Sequence, residues 1–143
     1  MLTQAEKAAN FAALHQREGA FIIPNPWDVG SARLLAHLGF EALATSSAGY
    51  AFSIGKADNM VGREAMLEHA AAVAAATDLP LSIDLENGFG DTPEIVAETI
   101  RLTAETGAAG GSIEDATGRP DDPLYERALA IERISAEIGR AHV

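Results

Sequence analysis

The sequence predicts an α/β fold in which helices cover a parallel sheet, and three features carry that expectation. Short apolar runs alternate four times with longer amphipathic stretches. The runs are near-continuously apolar, as strands buried on both faces must be. Gly and Pro punctuate the joins.

The elements follow in order. Residues 1–18 mix Glu6, Lys7, Arg17 and Glu18 with alanines and read as a leading amphipathic helix. Residues 21–23, Phe-Ile-Ile, read as the first strand, ended by Pro24, Asn25 and Pro26. Asp28 caps a helix over 28–38, and Gly39 stands where a helix end takes positive φ. Residues 42–45 form the second strand and 63–77 an Ala-rich helix. Residues 79–85 form the third strand. The helix after it opens at Asp91 or Thr92 with Pro93 in its first turn, and runs to about Thr106 before Gly107. Residues 108–113 are a small-residue fourth strand. A fourth helix spans 123–138 with Leu124, Ala128, Ile131 and Ile134 on one face.

Four βα units in a row fit an open doubly wound sheet or part of a (β/α)₈ barrel. A whole barrel needs roughly 250 residues, so 143 residues hold about half of one. The chain breaks off in AEIGRAHV without a polar tail and reads as truncated there.

Composition narrows the function. Ten Lys and Arg against 21 Asp and Glu give a net charge of -11, with no basic stripe to meet a nucleic-acid backbone. There is no Cys, which removes disulfides, thiolate metal sites and thiol nucleophiles. No secretory signal pattern and no membrane-length apolar stretch is present, so the expected address is cytoplasmic and no membrane partner is expected. The four histidines, His15, His37, His69 and His142, lack ligand spacing and read as surface or packing residues.

In parallel α/β folds ligands bind at the C-terminal ends of the strands. Those ends carry Asn25 and Trp27, then Thr45 to Gly49, then Asp84 and Glu86, then Glu114 and Asp115. Residues i and i+2 of a strand point the same way, so Asp84 and Glu86 are expected to face one pocket, with Glu114 closing the neighbouring strand. Three such carboxylates repel unless a cation or protons relieve them. With no His, Cys or nearby Lys among them, the chemistry favours a hard cation with oxygen ligands, Mg²⁺ first. A single acid at a strand end is ordinarily solvated or a helix cap, and Asp91 is read that way. Ser46 and Ser47 suit a carboxylate or phosphate, although small polar residues after a strand are also common turn chemistry. The loop over 53–60 is longer than a connection needs and carries Lys56 and Asp58.

Four stretches, NPWDVGSARLLAHLGFEAL, TSSAGYAFSIGKADN, DLENGFGDTPE and GGSIEDATG, together resemble the isocitrate lyase/phosphoenolpyruvate mutase superfamily, and its mutase-like branch most. They occur in that family's order and cover nearly the whole chain. The resemblance implies that residues 1–143 are the N-terminal half of a (β/α)₈ TIM barrel: a leading helix and about four βα units of a partial domain. It implies an Mg²⁺-dependent lyase or phosphonomutase-like enzyme that makes or breaks C–C or P–C bonds in a small α-oxo or enol carboxylate. Carried over by position, Asp84, Glu86 and Glu114 match the metal ligands. Ser46, Ser47 and Ala48 match the segment that grips the substrate carboxylate, and Asp58 matches the catalytic loop acid. A small carboxylate is the implied partner, and a homo-oligomer the implied full-length state.

Three departures qualify that transfer. Glu86 stands where the family has a second Asp, and Ser47 where many members have Gly. After IED the chain reads ATGRPDDPLY rather than the K-[KR]-C-G-H segment of the lyase branch, so cleavage of isocitrate or methylisocitrate by the usual cysteine route is not expected. The alternatives are oxaloacetate decarboxylation or phosphonopyruvate hydrolysis on the same site, or an inactive α/β fragment whose open sheet edges invite pairing.

Overall fold

The computed structural model describes residues 2–138 and holds a three-stranded parallel sheet with helices packed around it, an α/β arrangement that is not a closed barrel. His142 lies outside the described residues.

Helix α1 (Gln4–Gln16) starts at a capping box in which Thr3 and Glu6 satisfy each other's backbone N–H groups. It is fastened by Lys7, which is 5% exposed. Its ammonium donates to the carbonyls of Ala74 and Thr77, both at 2.7 Å. Carbonyls at a helix end have no partner within the helix, so this cation closes the end of a helix 67 residues away. Lys7→Met leaves those carbonyls buried and unpaired and is expected to cost about 1–3 kcal/mol. A thermal midpoint unchanged by the substitution would contradict that role.

The stretch 21–23 does not form a strand. Among the described residues, one ladder bond joins the Pro24 that follows it to the sheet, from the Ala44 N–H to the Pro24 carbonyl at 3.1 Å. The reason is chemical: Pro24 and Pro26 have no N–H to offer, so pairing cannot propagate. Ile22 is 72% exposed as a result. Helix α2 (Val29–His37) begins as expected at Asp28, whose carboxylate accepts from Ser31 N–H at 2.6 Å.

Strand β1 (Leu43–Ala44) leads into α3 (Ser47–Ser53), a seven-residue helix that the sequence pattern does not announce. Ser46 caps it by accepting from Gly49 N–H at 3.1 Å. Helix α4 (Arg63–Ala74) follows, then β2 (Leu81–Asp84) and α5 (Pro93–Glu105), capped by Thr92 rather than Asp91. Strand β3 (Gly110–Ser112) completes the sheet in the order β1-β2-β3, with Leu43 beside Leu81 and Asp84 beside Ser112. Leu43, Leu81, Ile83 and Leu85 are each no more than 1% exposed and form the core with Val73 and the alanines of α2 and α4.

The expected fourth helix begins four residues late. Residues 122–124 instead form β5 (Asp122–Leu124), antiparallel to β4 (Ala116–Arg119) across a turn containing Pro120. Pro123 is tolerated there because the hairpin stands apart from the main sheet and needs no N–H from it. Helix α6 (Arg127–Ile138) then packs on α5. Of the expected apolar face, Leu124 falls in β5 and is 59% exposed, and Ile131 and Ile134 of α6 are 55% and 38% exposed, while the buried residue among the helix's described side chains is Arg133. His69 is 8% exposed and stacks on Tyr50 at 3.8 Å between ring centres, a packing role that joins α4 to α3.

Candidate metal and substrate site

The C-terminal end of β2 is where the expected acids meet. The Asp84 carboxylate is held from both sides. Its Oδ2 accepts from the Ser47 N–H and the Ser47 hydroxyl, each at 2.9 Å, and its Oδ1 accepts from the Glu86 N–H at 3.1 Å. Thr45, buried just past the end of β1, fixes the strand itself, its hydroxyl oxygen accepting from the Asp84 N–H at 2.9 Å.

Asp84 and Glu86 come together by a different route from strand alternation. The strand ends at Asp84, and the backbone turns left-handed at Glu86 with φ 51°. Gly88 at 77° and Phe89 at 61° continue that turn. An L-residue in this region costs on the order of 1–2 kcal/mol, and Gly88 alone escapes it. The turn drives the Glu86 side chain inward, where it is 6% exposed. Glu114 reaches the same place through register, because its N–H donates to the Glu86 carbonyl at 2.8 Å and extends the β2–β3 ladder past the strand ends.

Glu86 is the anomalous group. Its Oε1 is buried with no hydrogen-bond partner among the described residues. Burial first, and then the negative charges of Asp58, Asp84 and Glu114, push its carboxyl up to about 7. Glu114 is also raised, by burial and then by Asp84, Asp58 and Asp115. Asp58, the expected loop acid, is exposed, and its Oδ1 lies 3.5 Å from the Ser47 hydroxyl. The structure therefore gathers Asp58, Asp84, Glu86 and Glu114 into one mutually repelling group, with Ser47 between two of them. Ser46 spends its hydroxyl oxygen on the α3 cap, and Ala48 lies in the first turn of that helix.

No three His, Cys, Asp or Glu side chains among the described residues already close into a cage for a metal ion. A water-rich ion does not require one. Mg²⁺ is ordinarily held by one or two carboxylates and keeps several waters. An all-oxygen donor set containing an unpaired buried carboxylate oxygen fits such an ion, and would not suit a thiophilic one. A cleft of about 530 Å³ opens beside the acids, lined by Glu86, Asn87, Phe89, Asn59, Arg63 and Gly118.

Several neighbours of the site carry no local sequence signal. Asp91, read as a solvated or capping residue, accepts from the Tyr125 hydroxyl at 2.6 Å and from Arg119 at 3.0 Å. Asn87 donates to the Tyr125 oxygen at 3.0 Å and accepts from Phe89 N–H at 3.0 Å. The two contacts with Tyr125 span 34 and 38 positions along the chain, beyond the reach of any spacing rule.

Residues 11–142 match the sequence pattern of the family described as phosphoenolpyruvate phosphomutase. The chain belongs to that family. A candidate lyase/mutase from Burkholderia cenocepacia J2315 is 65% identical, with a TM-score of 0.95 over 98% of this chain and 50% of that one. A 2,3-dimethylmalate lyase of the PEP mutase/isocitrate lyase superfamily is 28% identical, with a TM-score of 0.85 over 98% of this chain and 49% of its own. The 2-methylisocitrate lyase of Bacillus subtilis strain 168 is 32% identical over 142 residues, 92% of this chain and 47% of that protein. The chain thus spans about half the length of the curated relatives it matches, in keeping with the N-terminal part of a barrel. No helix among the described residues is long and apolar enough to cross a membrane.

Proposed function

We propose that this chain carries the metal-binding half of an Mg²⁺-dependent lyase or phosphonomutase-like enzyme acting on a small α-oxo or enol carboxylate through an enolate-type intermediate. The observation that carries the reading is Glu86: a buried carboxylate with an unpaired oxygen, set among Asp58, Asp84 and Glu114 at adjoining strand ends. An ionised carboxylate buried among like charges costs stability until a cation or a proton relieves it. Glu86 and Glu114 are the acids offered to Mg²⁺ or its waters, and Asp84 orients Glu86 through that residue's N–H. When bound, the ion would supply the charge that stabilises an enolate oxygen as it develops.

The remaining roles belong to the chain itself. The segment Ser46, Ser47 and Ala48 grips the substrate carboxylate, and Ser47 couples that grip to Asp84 through its N–H and hydroxyl. Asp58 stands on the exposed side of Ser47, where it can move a proton at its Oδ1. ATGRPDDPLY stands where the lyase branch carries its K-[KR]-C-G-H segment, which argues against isocitrate-type cleavage by the thiol route.

The test is turnover of oxaloacetate-, malate- and phosphonopyruvate-type substrates by the full-length protein, with Mg²⁺ and with a chelator. Release of pyruvate from a phosphonate or from oxaloacetate would identify the hydrolase or decarboxylase form of the same chemistry. The lack of any Mg²⁺-dependent turnover would overturn the reading. In the same assay Asp58→Asn is expected to lower kcat by about 10²-fold or more, the usual scale for a positioned acid or base. Because Asp58 is exposed, its fold should survive, and an unaltered kcat would remove it from the mechanism.

A further inference from the structure

Arg133 is the largest fully buried side chain among the described residues, 1% exposed on a helix where Glu132 and Ile134 face solvent. A buried cation ordinarily sits against a carboxylate. Arg133 has no salt-bridge partner among the described residues and meets backbone instead. Its Nη1 donates to the carbonyls of Gly90 at 2.6 Å and Asp91 at 2.7 Å, and its Nη2 donates to the carbonyl of Asn87. The guanidinium carbon lies 3.9 Å from the centre of the Tyr125 ring, and the Tyr125 hydroxyl bonds the side chains of Asn87 and Asp91. All of these contacts converge on residues 87–91.

Those five residues follow directly on Glu86 and contain most of the left-handed turn. Local sequence does not account for it, since Glu86 and Phe89 both carry a Cβ that disfavours positive φ. A planar fork of fixed donors can satisfy several carbonyls at once, and an ammonium cannot match that geometry.

We infer that Arg133 is a positioning residue that locks the turn over 87–91 and thereby holds the Glu86 carboxylate buried beside Asp84 and Glu114. It acts on the acids only through the backbone. Its consequence for metal binding rests on the function proposed above, whereas its control of the turn does not.

The experiment compares Arg133→Met, Arg133→Lys and Lys7→Met in the full chain, reading Mn²⁺ affinity with the metal alone and amide exchange at Gly88 and Phe89, which donate within the turn. Arg133→Met is expected to weaken Mn²⁺ binding at least ten-fold and to speed both amides at least a hundred-fold, with Arg133→Lys recovering part of each. Lys7→Met lowers the thermal midpoint and should move neither readout, which separates positioning from general loss of stability. A folded Arg133→Met with unchanged exchange and affinity overturns the inference, as does an equal shift in Lys7→Met. Where Arg133→Met does not fold, Arg133→Lys decides: exchange at least ten-fold faster supports the clamp and unchanged exchange overturns it. If the unaltered protein binds no Mn²⁺, the metal reading fails while the exchange arm still decides for or against Arg133.

Discussion

Asp84→Asn is expected to lower Mg²⁺-dependent turnover of the full-length protein on the order of a thousand-fold, the scale of the several kcal/mol that metal-borne charge stabilisation supplies. The effect has two physical parts. The substitution removes one negative charge from the group that would face the ion. It also disrupts a carboxylate whose two oxygens together accept from three donors, the Ser47 N–H, the Ser47 hydroxyl and the Glu86 N–H. An amide keeps one oxygen. If that oxygen stays on Glu86, the new NH₂ group points at the Ser47 N–H, donor against donor. The substrate-gripping segment and the metal-facing turn then lose their common anchor. Ser47→Ala separates the parts, since it keeps the N–H bond to Asp84, deletes the hydroxyl's contacts to Asp84 and Asp58, and is expected to cost about 1 kcal/mol of stability. Turnover within a few-fold of the unaltered protein in Asp84→Asn would sink the assignment of this acid.

The contrast between these acids and Arg133 marks how far the sequence could be read. The helices over 29–37, 63–74 and 93–105 announce themselves, because Asp28, Thr92 and Pro93 are local signals and apolar spacing is a local pattern. The parallel sheet follows from the short runs at 43–44, 81–84 and 110–112, the first two apolar and the third built of small residues. The first strand fails because a Phe-Ile-Ile run reads as β while Pro24 and Pro26 withhold the donors a ladder needs. Residues 122–124 fail in reverse, since Pro123 and Leu124 resemble a helix start while a hairpin partner eight residues earlier claims them. Asp84, Glu86 and Glu114 were legible as a group, but the reason they meet was not. Alternation would have put Glu86 on a strand, whereas a left-handed turn buries it. What enforces that turn comes from Tyr125 and Arg133, about 40 positions downstream, and no local rule carries information over that distance.

The same burial yields the second large effect, on stability against pH in the absence of metal. The folded-state carboxyl of Glu86 is raised from 4.5 to about 7, so folding takes up a proton between those values. A raised acid contributes its stabilisation fully below the unfolded value and loses it as pH climbs through the folded one. Between pH 4.5 and about 7 the metal-free protein should therefore weaken by on the order of 3 kcal/mol from this group. Glu86→Gln removes the titration. It should match the unaltered protein near pH 4.5 and exceed its denaturation midpoint at pH 8. Saturating Mg²⁺ should narrow that gap by stabilising the unaltered protein more at pH 8 than at pH 5, because only the ionised carboxylate gains from the ion. Chemical denaturation at the two pH values, with metal and with chelator, reads all of this at once. Parallel profiles for the two proteins would mean that Glu86 is not a charge that burial strains, and the case for a metal at the end of β2 would lose its main support.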